Sequence, residues 1–244
     1  MHNFIDAFQF IGRNGELPGQ PHFSTLSYYS LGTLKITLIA MVISLAIALP
    51  IGVWLGHIHR GSFVAINLGN IGRALPSLAV LAIGVAFLGI GLKNVLLALV
   101  VLAVPPIITN AYVGLDQVDP DLVDAARGMG MTGWQILSRV ELPLAIPLLM
   151  AGVRTSALFV ISTTTISALT GYSDSLGEII NDEASYHLSG VLGAAICIAA
   201  MAILVELLLA AAQRAMTPVA LRGRVADVIE DEYVPIAVGA AGVI

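Results

Sequence analysis

Four long stretches of the chain, 36–56, 74–92, 94–115 and 184–205, contain no Asp, Glu, Lys or Arg. Each matches the ~20 apolar residues needed to cross the hydrocarbon of a bilayer. Buried helices of a large soluble protein keep a polar stripe toward water, and these runs have none. The pattern predicts five transmembrane spans: 31–55, 75–89 with a half-buried stretch from Phe63 before it, 95–113, 142–170 and 190–213. The fold class is therefore an all-α integral membrane protein. Asp6, Arg13, Glu16 and the turn Pro18-Gly19-Gln20-Pro21 precede any long apolar run, which argues against a cleavable signal peptide. The division that follows is an extracytoplasmic amino-terminal segment 1–30, a transmembrane domain 31–217 and a cytoplasmic tail 218–244. The tail, with Glu230-Asp231-Glu232, reads either as a mobile end or as a weak regulatory contact.

Composition sharpens this picture. Only 11% of the 244 residues are charged and 57% are hydrophobic, against about 25% charged in a soluble domain, so a water-facing surface cannot be built. One cysteine, Cys197, excludes an intrachain disulfide. A net charge of −5 offers no basic footprint for nucleic acid. Arg60, Arg73, Arg127, Arg139, Arg214, Arg222 and Arg224 fall on one side of the predicted spans, whereas Arg13, Lys35 and Lys93 fall on the other. By the positive-inside rule the amino terminus lies outside, the carboxyl terminus inside, and the polar segment 116–141 faces the cytoplasm. An odd span number without an internal repeat implies a pathway completed by a second chain, identical or paralogous.

The segment 116–141 carries the strongest local signals. Asp119-Pro120 is a helix start, since Asp accepts from free first-turn amides and Pro has no N–H to leave unpaired. A helix over 120–129 follows and stops at Gly128 and Gly130; Thr132 and Gln135 form a capping box that opens a second, with Trp134, Ile136, Leu137 and Val140 as its apolar positions. Pro143 marks the start of the fourth span. The local physics predicts a compact knob, with small Ala125 and Ala126 beside Asp124, that either receives a partner surface or folds against its own protein.

Asp124-Ala125-Ala126, three residues, Gly130, nine residues, then Val140-Glu141-Leu142-Pro143 resembles the Glu-Ala-Ala motif of permease subunits of binding-protein-dependent ABC importers. Asp124 stands where that family usually has Glu, and Val140 where it often has Ile. Pro105-Pro106-Ile107-Ile108-Thr109-Asn110-Ala111-Tyr112, Arg127-Gly128-Met129-Gly130-Met131 and Gly152-Val153-Arg154-Thr155 are similar to permeases for osmoprotectants such as glycine betaine, carnitine and choline. So are Leu49-Pro50-Ile51-Gly52 and 73–79, and the resemblance spans 26–213. It implies a type I importer half in the bacterial cytoplasmic (inner) membrane: two permease chains, a cytoplasmic ABC ATPase dimer, and an extracytoplasmic substrate-binding protein that delivers a small solute. Asp124, Ala125, Ala126, Gly128, Gly130 and Met131, with Leu142 and Pro143, would form the coupling motif seated in the ATPase, whose ATP-driven closure switches the pathway. A permease for another solute such as methionine is the alternative, followed by a secondary carrier. Lys35 and Lys93 both follow Leu, so the chain has no Gly-Lys-Ser/Thr phosphate loop; it is not itself an enzyme, binds no cofactor, and leaves ATP and Mg to the partner ATPase.

Within the membrane, Arg154 lies twelve residues beyond Leu142, or about 18 Å along a helix. It either meets a substrate carboxylate or holds a gate, or bonds carbonyls or a neighbouring span, Glu206 being the named partner, and a cationic solute favours the structural reading. Pro105 and Pro106 are expected to break the third span and make the region of Asn110 a pathway element or hinge. Thr163 and Thr164 either line an aqueous path or bond back to their own helix. His57 and His59, with no carboxylate or thiol nearby in sequence, read as interfacial side chains rather than metal ligands. No aromatic cage for a quaternary ammonium is visible in the sequence, which assigns selectivity to the binding protein.

Overall fold

A computed structural model describes residues 2–15 and 25–217, and the tail assigned to 218–244 lies outside the described residues. These residues form ten α-helices: α1 His2–Gly12, α2 Thr25–His57, α3 Ser62–Ala74, α4 Ser77–Leu88, α5 Leu92–Asp116, α6 Pro120–Gly128, α7 Gly133–Ile136, α8 Leu142–Ile166, α9 Gly177–Asn181 and α10 Glu183–Met216. A π turn, Leu137–Glu141, joins α7 to α8, and a 3-10 turn, Ser167–Thr170, extends α8. α2, α5, α8 with its flanking turns, and α10 are each long and apolar enough to span a bilayer. α3 and α4 are each too short to do so alone and are long and apolar enough only together, as one bent span or a re-entrant loop.

α5 is the hub. In its most apolar window 61% is buried, against 11% for α10, so the other helices pack around α5 while α10 offers its flank to lipid or to another chain. Apolar side chains gain little by leaving lipid for each other, so close backbone approach through small residues holds such a bundle. A Cβ at Gly52 or Gly56 of α2 would lie 2.6 Å from Ala111 or 2.8 Å from Leu115, and one at Gly152 of α8 2.7 Å from Asn110. Gly72 of α3 likewise abuts Pro105, at 2.6 Å. Four glycines on three helices thus let α5 sit at the centre.

The break expected at Pro105-Pro106 is absent. α5 runs unbroken through Pro105 and Pro106. The prolines remove two amide donors, but both residues are buried, the Pro105 ring packs on Gly72 of α3, the Pro106 carbonyl lies against Gly152 of α8, and Ser156 Oγ of α8 donates to the Ala103 carbonyl at 2.8 Å. Neighbouring helices and side chains can hold a proline-bearing membrane helix in line. The break falls instead at Leu75-Pro76, where α3 and α4 meet at 91°. Leu75 is extended (ψ 119°), as the ring of a following proline favours.

Residues 1–30 carry no element predicted from the pattern, yet α1 docks on α10. Ala7 and Phe10 are buried, and Phe10 fills the space beside Gly190 and Gly193.

Candidate functional site

The 116–141 segment folds from its local signals. Asp119 caps α6 by accepting from the amide of Asp121 at 2.9 Å. Gly130, at φ +82°, ends the helical path in the left-handed region that favours glycine. Thr132 and Gln135 close a reciprocal capping box at the start of α7. Val123, Ala126 and Ile136 turn inward to a small core of their own. Ala126 is therefore a packing residue, while Asp124, Ala125, Gly128 and Gly130 are exposed and Met131 is half-buried. Leu142 is half-buried in the core beneath, and Pro143 stands in the first turn of α8.

Trp134, expected on the apolar face of the second helix, is 74% exposed, and Met129 is 72% exposed. With Leu122 and Ala125 they give this end of the bundle an apolar outer surface. A side chain at Gly128 would meet nothing within 4 Å. The absence of a side chain there is unrelated to packing within the chain. Beside it, Asp124 and Arg127 form an exposed ion pair at 2.9 Å, a contact worth little in water.

The structure also joins the knob to α2, which sequence reasoning missed. His57 Nδ1 lies 2.6 Å from Glu141 Oε2, and Glu141 is 1% exposed. His59 Nδ1 lies 3.0 Å from Asp116 Oδ1. The two histidines are thus tied to carboxylates 84 and 57 residues away. A buried carboxylate within the motif, Glu141, was the available signal, because such a group requires a partner. The pairs fix the two ends of the knob, at Asp116 and Glu141, to the end of α2. The intervening π turn is a geometry that recurs at functional sites.

In the membrane, Arg154 donates from Nε to Glu206 Oε1 at 2.8 Å, from Nη2 to the same oxygen, and from Nη1 to Gln213 at 3.0 Å. Its fork therefore bridges α8 to α10, with Glu206 as the partner the sequence suggested. Of the hydroxyls, Thr164 donates to the Val160 carbonyl at 2.7 Å and Thr165 to that of Ile161 at 3.1 Å. Thr163 instead borders a cavity of about 280 Å³ with Ser77, Ser162 and Phe159. Pro105, Pro106 and Asn110 lie in the packed seams of α5, away from the lining of that cavity. Among the described residues no group of three or more His, Cys, Asp or Glu is arranged to hold a metal ion.

Residues 48–218 match the family described as "Binding-protein-dependent transport system inner membrane component". The chain is 38% identical, over 78% of its length and 88% of the relative's, to the glycine betaine/carnitine/choline transport system permease protein OpuCB of Bacillus subtilis (strain 168). It is 34% identical, over 91% and 97%, to the choline transport system permease protein OpuBB of the same organism. To the carnitine transport permease protein OpuCB of Listeria monocytogenes it is 36% identical over 78% and 87%. The fold is shared with a chain of the MetNI methionine ABC transporter in an inward-facing crystal structure: TM-score 0.68 and 23% identity, covering 79% of this chain and 96% of that one.

Proposed function

Since the chain belongs to the binding-protein-dependent transport system inner membrane components, and is thus a permease subunit of an ABC importer in the inner membrane, we propose that its cargo is a quaternary ammonium compatible solute of the betaine type. The observation that carries this cargo is the identity of 34–38% to permeases named for glycine betaine, carnitine and choline, across at least 78% of this chain.

In this reading the 116–141 segment faces the cytoplasm and receives the ATPase. The exposed Leu122, Met129 and Trp134, the vacant space at Gly128, and the exposed Asp124 support it, because aromatic and Met side chains are enriched where interfaces close. Two such chains, identical or paralogous, line one pathway above an ATPase dimer that binds the ATP and Mg, and a substrate-binding protein delivers the solute from outside. ATP-driven approach of the two ATPases moves the knobs. The His57–Glu141 and His59–Asp116 pairs pass that motion to α2, and the Glu141 end continues directly into α8.

Reconstitution of the chain with its ATPase and binding protein tests the proposal. Glycine betaine, choline or carnitine loaded on the binding protein is expected to stimulate ATP hydrolysis and uptake. Stimulation by methionine alone, or by none of the four, overturns the cargo assignment.

A further inference from the structure

At the end of the bundle opposite the knob, the first turns of α2 and the loop after α8 enclose a cavity of about 300 Å³, at the lower bound of the ~300–1,000 Å³ common for small-ligand sites. Tyr28 and His57 are 29 residues apart on α2, so about 44 Å separates this cavity from the histidine tie. Its walls include Tyr28, Tyr172, Asp174 and Lys35, with apolar Leu31 and Leu92.

The loop that carries Asp174 is anchored to α2. The Asp174 carbonyl sits where a Cβ on Gly32 would be, and the amide of Leu176 donates to the buried Thr33 Oγ1 at 2.9 Å. Those contacts place the carboxylate between two phenols. Tyr28 donates to Oδ1 at 3.2 Å and Tyr172 to Oδ2 at 3.3 Å. Burial first, and then the charge of Asp174, push the Tyr172 hydroxyl up to about 12, further above the physiological range in which a phenol is in any case a donor.

This arrangement suits one kind of cation. Each carboxylate oxygen accepts one hydrogen bond from a phenol O–H and keeps a further lone pair, so the negative charge stays available to a cation while the two phenols stand beside it with their rings. Phenols that donate to an anion gain electron density in their rings, and ring faces attract quaternary ammonium groups. Lys35, seven residues or about two turns beyond Tyr28 on α2, supplies a positive charge for an anionic group on the same solute.

We propose that this cavity is a quaternary ammonium site on the permease itself, in which Tyr28, Tyr172 and Asp174 hold the methylated nitrogen and Lys35 faces the solute's carboxylate. The proposal rests on the cargo reading above and adds to it the place where a solute released from the binding protein first meets this chain. The selectivity that the sequence assigned wholly to the binding protein is then shared by residues 144 positions apart, counting from Tyr28 to Tyr172.

Binding of radiolabelled glycine betaine and choline to the full chain in nanodiscs tests the site, with uptake by the complete importer measured alongside. Asp174→Asn and Tyr172→Leu are expected to weaken both solutes at least tenfold, and Tyr172→Phe, which keeps the ring, about threefold. Lys35→Gln is expected to weaken glycine betaine several-fold and leave choline unchanged or tighter, a split that misfolding cannot produce. Wild-type affinity for both solutes in Asp174→Asn and Tyr172→Leu, or equal loss of both in Lys35→Gln, overturns the site even if the wild-type importer moves betaine. A wild-type importer that moves no quaternary ammonium solute instead overturns the cargo reading.

Discussion

Replacing Gly128 by tryptophan separates the ATPase contact proposed for this face from the contacts the chain makes with itself. Gly128 is the last residue of α6, its φ is not in the left-handed region, and a side chain there meets nothing of the chain within 4 Å. Within the chain, the change exchanges a poor helix former for an average one on an exposed surface, an effect within about 0.5 kcal/mol of zero. Against a partner packed on the knob, an indole has to be accommodated where no side chain stood. Overpacking of a close-fitting contact costs about 1–3 kcal/mol, or roughly 5- to 150-fold in Kd at 1.4 kcal/mol per tenfold. Thermal unfolding of the purified chain is expected to match wild type, while ATPase binding measured on nanodisc-embedded permease weakens by that factor and solute-stimulated hydrolysis falls. Gly130→Trp cannot make the same distinction, because at φ +82° any side chain strains the turn by about 1–2 kcal/mol. An unchanged Kd together with normal coupled uptake in Gly128→Trp would refute the docking role of this face.

Three further outcomes follow from the packing. His57→Ala leaves Glu141, 1% exposed, without its 2.6 Å partner; a destabilisation of about 1–3 kcal/mol is expected for a buried acceptor left unsatisfied, with partial recovery in His57→Ala/Glu141→Leu, and equal melting temperatures for single and double variants would contradict it. Arg154→Ala strands Glu206 in the membrane and is expected to impair transport while the complex still assembles; adding Glu206→Ala should restore thermal stability, and a double variant less stable than the single one would show that the pair is not what Arg154 contributes. Gly152→Leu places a Cβ 2.7 Å from Asn110 and 2.9 Å from the Pro106 carbonyl, so α5 and α8 have to separate; a loss of about 1–3 kcal/mol is expected, read as a lowered melting temperature, and wild-type stability would argue against the glycine-mediated seam.

The sequence by itself determined the features whose physics is local. A run of about twenty uncharged apolar residues crosses a bilayer whatever surrounds it, so four of the five spans stand close to where the pattern put them, α8 and its 3-10 extension covering 142–170. Caps act within three residues, so Asp119, Thr132 and Gln135 were readable in one pass. Pairings and helix continuity are not local. Two prolines in α5 look like a break until the close packing of α3 and α8 holds the helix in line, whereas the chain bends at Leu75-Pro76, where Leu75 is extended. Trp134 has the spacing of a core residue, but only the inward turn of Val123, Ala126 and Ile136 decides that it stays outside. The histidines at the end of α2 become structural ties only where Glu141 and Asp116 return to them. Tyr28 and Tyr172 form no cage pattern along the chain, and the approach of a loop carbonyl to Gly32 brings them to one carboxylate. Hydropathy and capping report what each segment requires of its solvent and its own first turn; which distant side chain meets that requirement depends on how the helices pack.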